Sequence, residues 1–109
     1  GFGPAAEGVL ELEKTARKND AALHGERIRR IQEHWPELTE VMQRLPDADR
    51  VRSLLQKMGA AVSPADLGID GELTREAILL AKEVRDRYTV LQLLWDLGLL
   101  ERYAAELAE

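Results

Sequence analysis

Nowhere in the 109 residues do polar and apolar side chains alternate with a period of two. A sheet with one buried face needs that alternation. Apolar residues instead recur at spacings of three and four, broken by glycines, prolines and short polar caps. Such a pattern builds helices and little else. The expected fold is all-α, a compact bundle of about five to seven helices with no sheet, with residues 1–109 as a single helical domain.

The punctuation divides the chain. Val9, Leu12 and Ala16 give a first helical face, weakened slightly by Gly8. Asn19-Asp20 offers an N-cap to a second helix carrying Leu23, Ile28, Ile31 and Trp35. Pro36 disfavours helical geometry at Trp35 and predicts a break or kink there, with Leu38, Met42 and Leu45 beyond it. Pro46-Asp47 starts a further helix with the face Val51, Leu54, Leu55 and Met58. Gly59 then stands where a left-handed C-terminal residue belongs. Ser63-Pro64-Ala65-Asp66 reads as a cap, a first-turn proline and an acid, a short turn ended by Gly68. Asp70 caps the next helix, whose predicted face is Leu73, Ala77, Leu80 and Val84.

The stretch RDRYTVLQLLWDLGLL (residues 85–100) is the most apolar part of the chain. Thr89 and Gln92 predict a capping box, the threonine accepting an orphan amide while Gln92 reaches back. Val90, Leu91, Leu93, Leu94, Trp95 and Leu97 then point nearly all round one helix. A helix apolar on every side is buried on most of them. It is either the centre of the bundle or a helix pressed between the bundle and something outside the chain, with Trp95 as an anchor. Gly98 ends it, and Leu99-Leu100 open a last helix with Tyr103 and Leu107.

The formal net charge of −5 disfavours nucleic acid, which requires a basic face to displace phosphate counterions. No cysteine occurs, so disulfides, thiolate metal sites and cysteine nucleophiles are excluded, and a reducing cytoplasm is compatible. No apolar run reaches the ~20 residues that span a bilayer, so no membrane partner is expected. No basic-then-apolar leader is visible either. Residue 1 is Gly rather than Met, which suggests a processed chain or a piece of a longer one.

Little in the sequence suggests chemistry. His24, in Leu23-His24-Gly25-Glu26-Arg27, lacks a second ligand at helical spacing and reads as part of a charged, solvated face. His34 reads as an exposed residue at a helix end. Lys14, Arg17, Lys18, Arg27, Arg29 and Arg30 interleave with Glu11, Glu13, Glu26 and Glu33, the pattern of surface ion pairs. Arg85, Arg87, Tyr88 and Thr89 form the most specific polar group. They read either as an anion or neighbouring-domain contact, or as a helix corner in which Thr89 caps, Arg85 or Arg87 pairs with Asp86 or Asp96, and Tyr88 packs. Glycine-rich phosphate loops, a serine elbow and a catalytic carboxylate pair are missing. No catalytic, cofactor-binding or metal-binding residue is assigned.

Two stretches nevertheless carry a resemblance. LLQKMGAAVSPADLGID followed by LTREAILLAKEVRDRYTVLQLLWDLGLL resembles the C-terminal end of sn-glycerol-1-phosphate dehydrogenases. These belong to the group that includes iron-containing alcohol dehydrogenases, glycerol dehydrogenase and dehydroquinate synthase. HWPEL, at residues 34–38, is similar to bacterial members. The resemblance covers roughly residues 20–105, and RDRYT is its most specific block. It implies a parent with an N-terminal Rossmann-like domain that binds NAD(P), and a helical C-terminal domain. In the parent one Asp and two His hold a divalent metal (Zn, Fe or Ni), and dihydroxyacetone phosphate is reduced to glycerol 1-phosphate. The ligands are expected upstream of the matched region, so no cofactor is expected in this chain. On this reading the chain is a distal structural fragment, inactive alone. Its partners are the missing N-terminal nucleotide-binding domain and, as a homo-oligomer, further copies of itself. The competing reading is an independent helical interaction or regulatory module.

Overall fold

The computed structural model describes residues 2–109 and contains seven α-helices and two short 3-10 turns, with no strand among those residues. The helices are α1 (Ala6–Ala16), α2 (Ala21–Glu33), α3 (Trp35–Gln43), α4 (Ala48–Lys57), α5 (Gly71–Ala81), α6 (Val90–Asp96) and α7 (Leu100–Ala108). The all-α expectation therefore holds. The boundaries follow from local chemistry. Asp20 accepts from the amides of Ala22 and Leu23 and starts α2, Asp47 accepts from Asp49, and Asp70 accepts from Leu73. Between α2 and α3 the chain turns at His34, one residue before Trp35-Pro36, as the proline requires. Ser63 and Asp66 complete a reciprocal capping box around the turn Pro64–Leu67. Gly59, Gly68 and Gly98 take left-handed conformations after their helices. Arg17 ends α1 at φ 52°, a conformation non-glycine residues seldom adopt.

The centre of the bundle is α5 packed against α7, with α6 against both and α2 against α6. Leu100 and Ala104 are buried on α7, and Ile31 is buried on α2. At one end of the α5–α7 pair a Cβ on Gly71 would lie 2.4 Å from the carbonyl oxygen of Ala108, so only glycine lets the two backbones meet there.

Three faces differ from expectation. On α5 the inward residue is Thr74, while Leu73 and Ala77 are exposed; Val84, expected on the same face, lies beyond the helix end at Ala81, is exposed as well, and with Leu73, Ala77 and Phe2 helps to line an open depression. The stripe Leu73-Ala77-Leu80-Val84 is thus turned away from α7, because close approach to α7 selects the small side of α5. On α7 the inward residues are Leu100 and Ala104, not Tyr103 and Leu107. On α6 the buried residues are the two polar ones, Gln92 and Asp96, while Val90 is exposed.

One part stands apart. Helix α3 packs only on α2, and α4 packs on none of the other helices. The molecule is accordingly flat, 44 × 40 × 21 Å. Its radius of gyration is 16.1 Å, against about 13 Å for an isometric domain of this length.

Candidate functional site

Where α2, α6 and the loop between α5 and α6 meet, the interior is polar. Asp96 lies at the end of α6 with its carboxylate 0% exposed. Arg27 on α2 grips it with both prongs, Nε donating to Oδ2 at 2.8 Å and Nη2 to Oδ1 at 2.9 Å. Tyr88 donates its hydroxyl to Oδ2 at 2.8 Å. Gln92, one turn earlier on α6, directs its amide nitrogen to Oδ1 at 3.5 Å. Nε2 of His24 lies 3.2 Å from the Asp96 carbonyl oxygen and 3.6 Å from Oδ1. Burial by itself would raise the Asp96 pKa, but the Arg27 guanidinium and the Tyr88 hydroxyl outweigh it and hold the carboxyl below its ordinary range. The same geometry, burial first and then the bond to Asp96, pushes the Tyr88 phenol up.

A second cluster adjoins it. The Lys18 ammonium is buried and donates to the carbonyl of Lys82 at 2.6 Å and to that of Arg85. It thereby satisfies carbonyls left open where α5 ends. Lys82 bonds Glu83 and reaches Oδ1 of Asn19 at 3.3 Å, while its ammonium stands 4.8 Å above the Trp95 ring. That ring also meets His24, at 5.1 Å between centroids with the planes tilted by 50°. Burial works against ionisation of Glu83, yet Lys82 and Asn19 hold its pKa below the ordinary value. The carbonyl of Lys18 in turn accepts from Arg27 at 2.7 Å, which joins the two clusters.

The sequence-predicted residues fall into three groups. Thr89 caps α6, accepting from the amide of Gln92 at 3.4 Å, but the predicted capping box is not formed, because the Gln92 side chain turns inward to Asp96. Arg85 and Arg87 are exposed and have no ion pair among the described residues. The expected pairing of Asp96 with Arg85 or Arg87 is replaced by Arg27, which reaches it from α2. Of the basic cluster, Lys14, Arg29 and Arg30 do form exposed ion pairs along their helices. Lys18 and Arg27 are corrections: both turn inward, where unpaired carbonyls and a buried carboxylate await them. His24 is likewise not on a solvated face but against Trp95, and Trp95 itself is only partly buried. One signal in the sequence pointed to all this: Gln92 and Asp96 stand one turn apart in an otherwise apolar helix, and polar residues so placed need buried partners.

Every oxygen of Asp96 is engaged, and Tyr88 is fixed as its donor. Among the described residues no group of three His, Cys, Asp or Glu side chains is arranged to hold a metal ion. His34 faces Glu37 on its own helix at 3.7 Å, well away from His24 in role and setting. The residues present therefore do not fit the divalent metal implied by the resemblance. Beside the network, Arg27, Ile31, His34, Leu38, Tyr88 and Leu93 line an open apolar groove of about 310 Å³.

Fold and polar centre together define a helical module whose interior is a structural tie. Sequence comparison places it: the chain carries a glycerol-1-phosphate dehydrogenase-like region. It is 33% identical over 92 residues to the glycerol-1-phosphate dehydrogenase [NAD(P)+] of Geobacillus stearothermophilus, 84% of this chain and 22% of that protein. It is 36% identical over 63 residues to the enzyme of that name from Bacillus licheniformis, 58% of this chain and 16% of that one. Over 45 residues identity with the Natronomonas pharaonis enzyme of that name is 51%, covering 41% of this chain and 13% of that protein. The chain thus spans about a fifth of the length of the curated relatives it matches. No family model matches it, and no solved structure matches it significantly.

Proposed function

We propose that this chain is the C-terminal helical part of a metal- and NAD(P)-dependent glycerol-1-phosphate dehydrogenase-like protein. It supplies the outer scaffold of the catalytic domain and is inactive alone. The observation that carries the reading is the likeness over 84% of this chain to a protein of which it matches only 22%. On this reading the nucleotide-binding domain of the longer, cytoplasmic protein is its partner. On the same reading NAD(P) and the metal are held by residues outside this chain; in support, no three His, Cys, Asp or Glu side chains among the described residues are arranged to hold a metal ion.

The direct test is a chimera. Replacing the matching 92-residue segment of the Geobacillus stearothermophilus enzyme with residues of this chain should leave reduction of dihydroxyacetone phosphate measurable. A folded chimera without activity would count against the scaffold role. In parallel, calorimetric titration of the 109-residue chain with NADH, NADPH, zinc and nickel should show no stoichiometric binding. Tight binding of one metal equivalent, abolished by His24→Ala, would move the metal site into this chain.

A further inference from the structure

Helix α4, at the end of a projecting arm, has the weakest support from its own chain. An isolated helix of about ten residues is marginal in water, because nucleation is costly and tertiary packing normally stabilises it. Yet α4 packs on no other helix. Leu54 is 52% and Met58 79% exposed. At about 3.6 residues per turn, Val51, Leu54, Leu55 and Met58 fall within an arc of about 100°, a contiguous strip and not a scatter of single residues.

The charges of α4 are ordered around that strip. Arg50 and Lys57 border it on one side and Arg52 on the other, each about 40–60° beyond its edge. Asp49 lies on the opposite face, where it pairs with Arg52 at 2.7 Å. Asp47, in line with the strip, turns its carboxylate onto the amide of Asp49 at 2.7 Å and closes the helix end. Arg50 and Lys57 have no ion-pair partner among the described residues. Stems of Arg and Lys can follow an apolar edge while their charged heads reach outward. Cations on both borders, with the acid farthest away, suit a surface wider than one helix, apolar within and anionic at its face. We propose that α4 is a membrane-surface anchor, lying in the face of an anionic bilayer with its strip inward and Arg50, Arg52 and Lys57 against lipid phosphates. The chain as a whole carries a formal net charge of −5. At about 0.1 M salt, however, charges more than about 10 Å from the surface are screened, and the local patch decides. The expectation of no membrane partner rests on spanning length. Among the described residues no helix is long and apolar enough to cross a membrane, but a helix that lies in the surface needs no such length. The proposal concerns the 109-residue chain by itself and does not depend on the dehydrogenase reading.

Co-sedimentation with vesicles of equimolar phosphatidylglycerol and phosphatidylcholine, at about 0.1 M salt, tests it. The chain should bind these vesicles, and bind vesicles of phosphatidylcholine alone at least about tenfold more weakly. Arg50→Gln and Lys57→Gln should each lower the partition coefficient about fivefold, the share of one cation at an anionic surface. Leu54→Gln should lower it at least about tenfold, with the bundle still folded, because α4 packs on none of its helices. Arg87→Gln removes an exposed cation outside α4 and should change nothing. Failure to bind the anionic vesicles overturns the proposal, as does equal binding to phosphatidylcholine alone. Binding that Leu54→Gln leaves intact, or that Arg87→Gln weakens as much as Arg50→Gln, is not made by α4 and overturns it too. A chain that ignores vesicles but binds a synthetic amphipathic helix of Glu and Leu through α4 assigns the strip to an acidic protein instead.

Discussion

Arg27 and Asp96, sixty-nine positions apart, form a two-pronged ion pair that ties α2 to the end of α6. It sits in a bundle whose buried apolar residues, among the described residues, are Ile31, Leu100 and Ala104. Removing one partner of a buried pair costs about 3–5 kcal/mol, because the other charge is left uncompensated. Domains of this size are stable by only about 5–15 kcal/mol. Arg27→Ala and Asp96→Asn should each lower the urea midpoint at neutral pH by a large fraction of its value. A midpoint unchanged in both would mean that the tie contributes nothing.

The pH dependence of the same pair has a fixed sign. The Asp96 carboxyl is held below its ordinary value of 3.8 in the folded chain. Its contribution is therefore complete above the unfolded value and is lost as pH falls through the folded one. The stability gap between the parent chain and Asp96→Asn should be widest at pH 7 and narrow steadily below about pH 4. Urea titrations at a series of acidic pH values measure it directly, and a gap that widened in acid would refute the assignment.

Gly71→Ala should be destabilising out of proportion to one methyl group. The added carbon would meet backbone, not a flexible side chain, at the carbonyl of Ala108. Relief requires α5 and α7 to shift apart, at a cost of about 1–3 kcal/mol. Thermal unfolding followed by circular dichroism reports it. Gly25→Ala, inside α2 with open space around its Cβ, is the control and should stabilise by about 0.5–1 kcal/mol through helix propensity.

Thr89→Ala should cost about 1 kcal/mol through the lost cap on α6. Gln92→Ala should cost more than a surface change, since it empties a fully buried site beside Asp96. If Thr89→Ser restored nothing that Thr89→Ala removed, the hydroxyl would not be the cap.

Trp95→Ala should cost about 2 kcal/mol, less than the ~3–5 of a fully enclosed tryptophan. The ring is only partly buried, yet it packs against the tilted His24 imidazole and lies beneath the Lys82 ammonium. A loss equal to that of a fully buried ring would show that something further covers it in solution.

The helix count and most boundaries were legible because they rest on local chemistry: Asp20, Asp47, Ser63, Asp70, Thr89, Pro36 and the terminal glycines act on their own neighbours. Faces were less legible. Leu73 and Val84 read as core because they are apolar at helical spacing, but Thr74 and Gly71 present the small surface that α7 approaches. The polar centre was least legible. Arg27 and Lys18 sit in sequence among acids that could pair with them, and only the fold brings Asp96 and the Lys82 and Arg85 carbonyls within reach. Gln92 and Asp96 gave the one available sign, and Arg85 and Arg87 were the wrong candidates to answer it.

The two tryptophans occupy opposite settings, and this gives the chain a built-in optical record of its own halves. Trp95 lies among His24, Lys82 and the polar tie, while Trp35 opens α3 at the root of the projecting arm, 45% exposed. Emission from Trp95 is subject to quenching by its imidazole and ammonium neighbours. Emission from Trp35 is shifted toward that of the indole in water. With Trp95→Phe the remaining signal follows the arm alone, and with Trp35→Phe it follows the bundle. The order in which arm and bundle come apart can then be read from intrinsic fluorescence without attaching any dye.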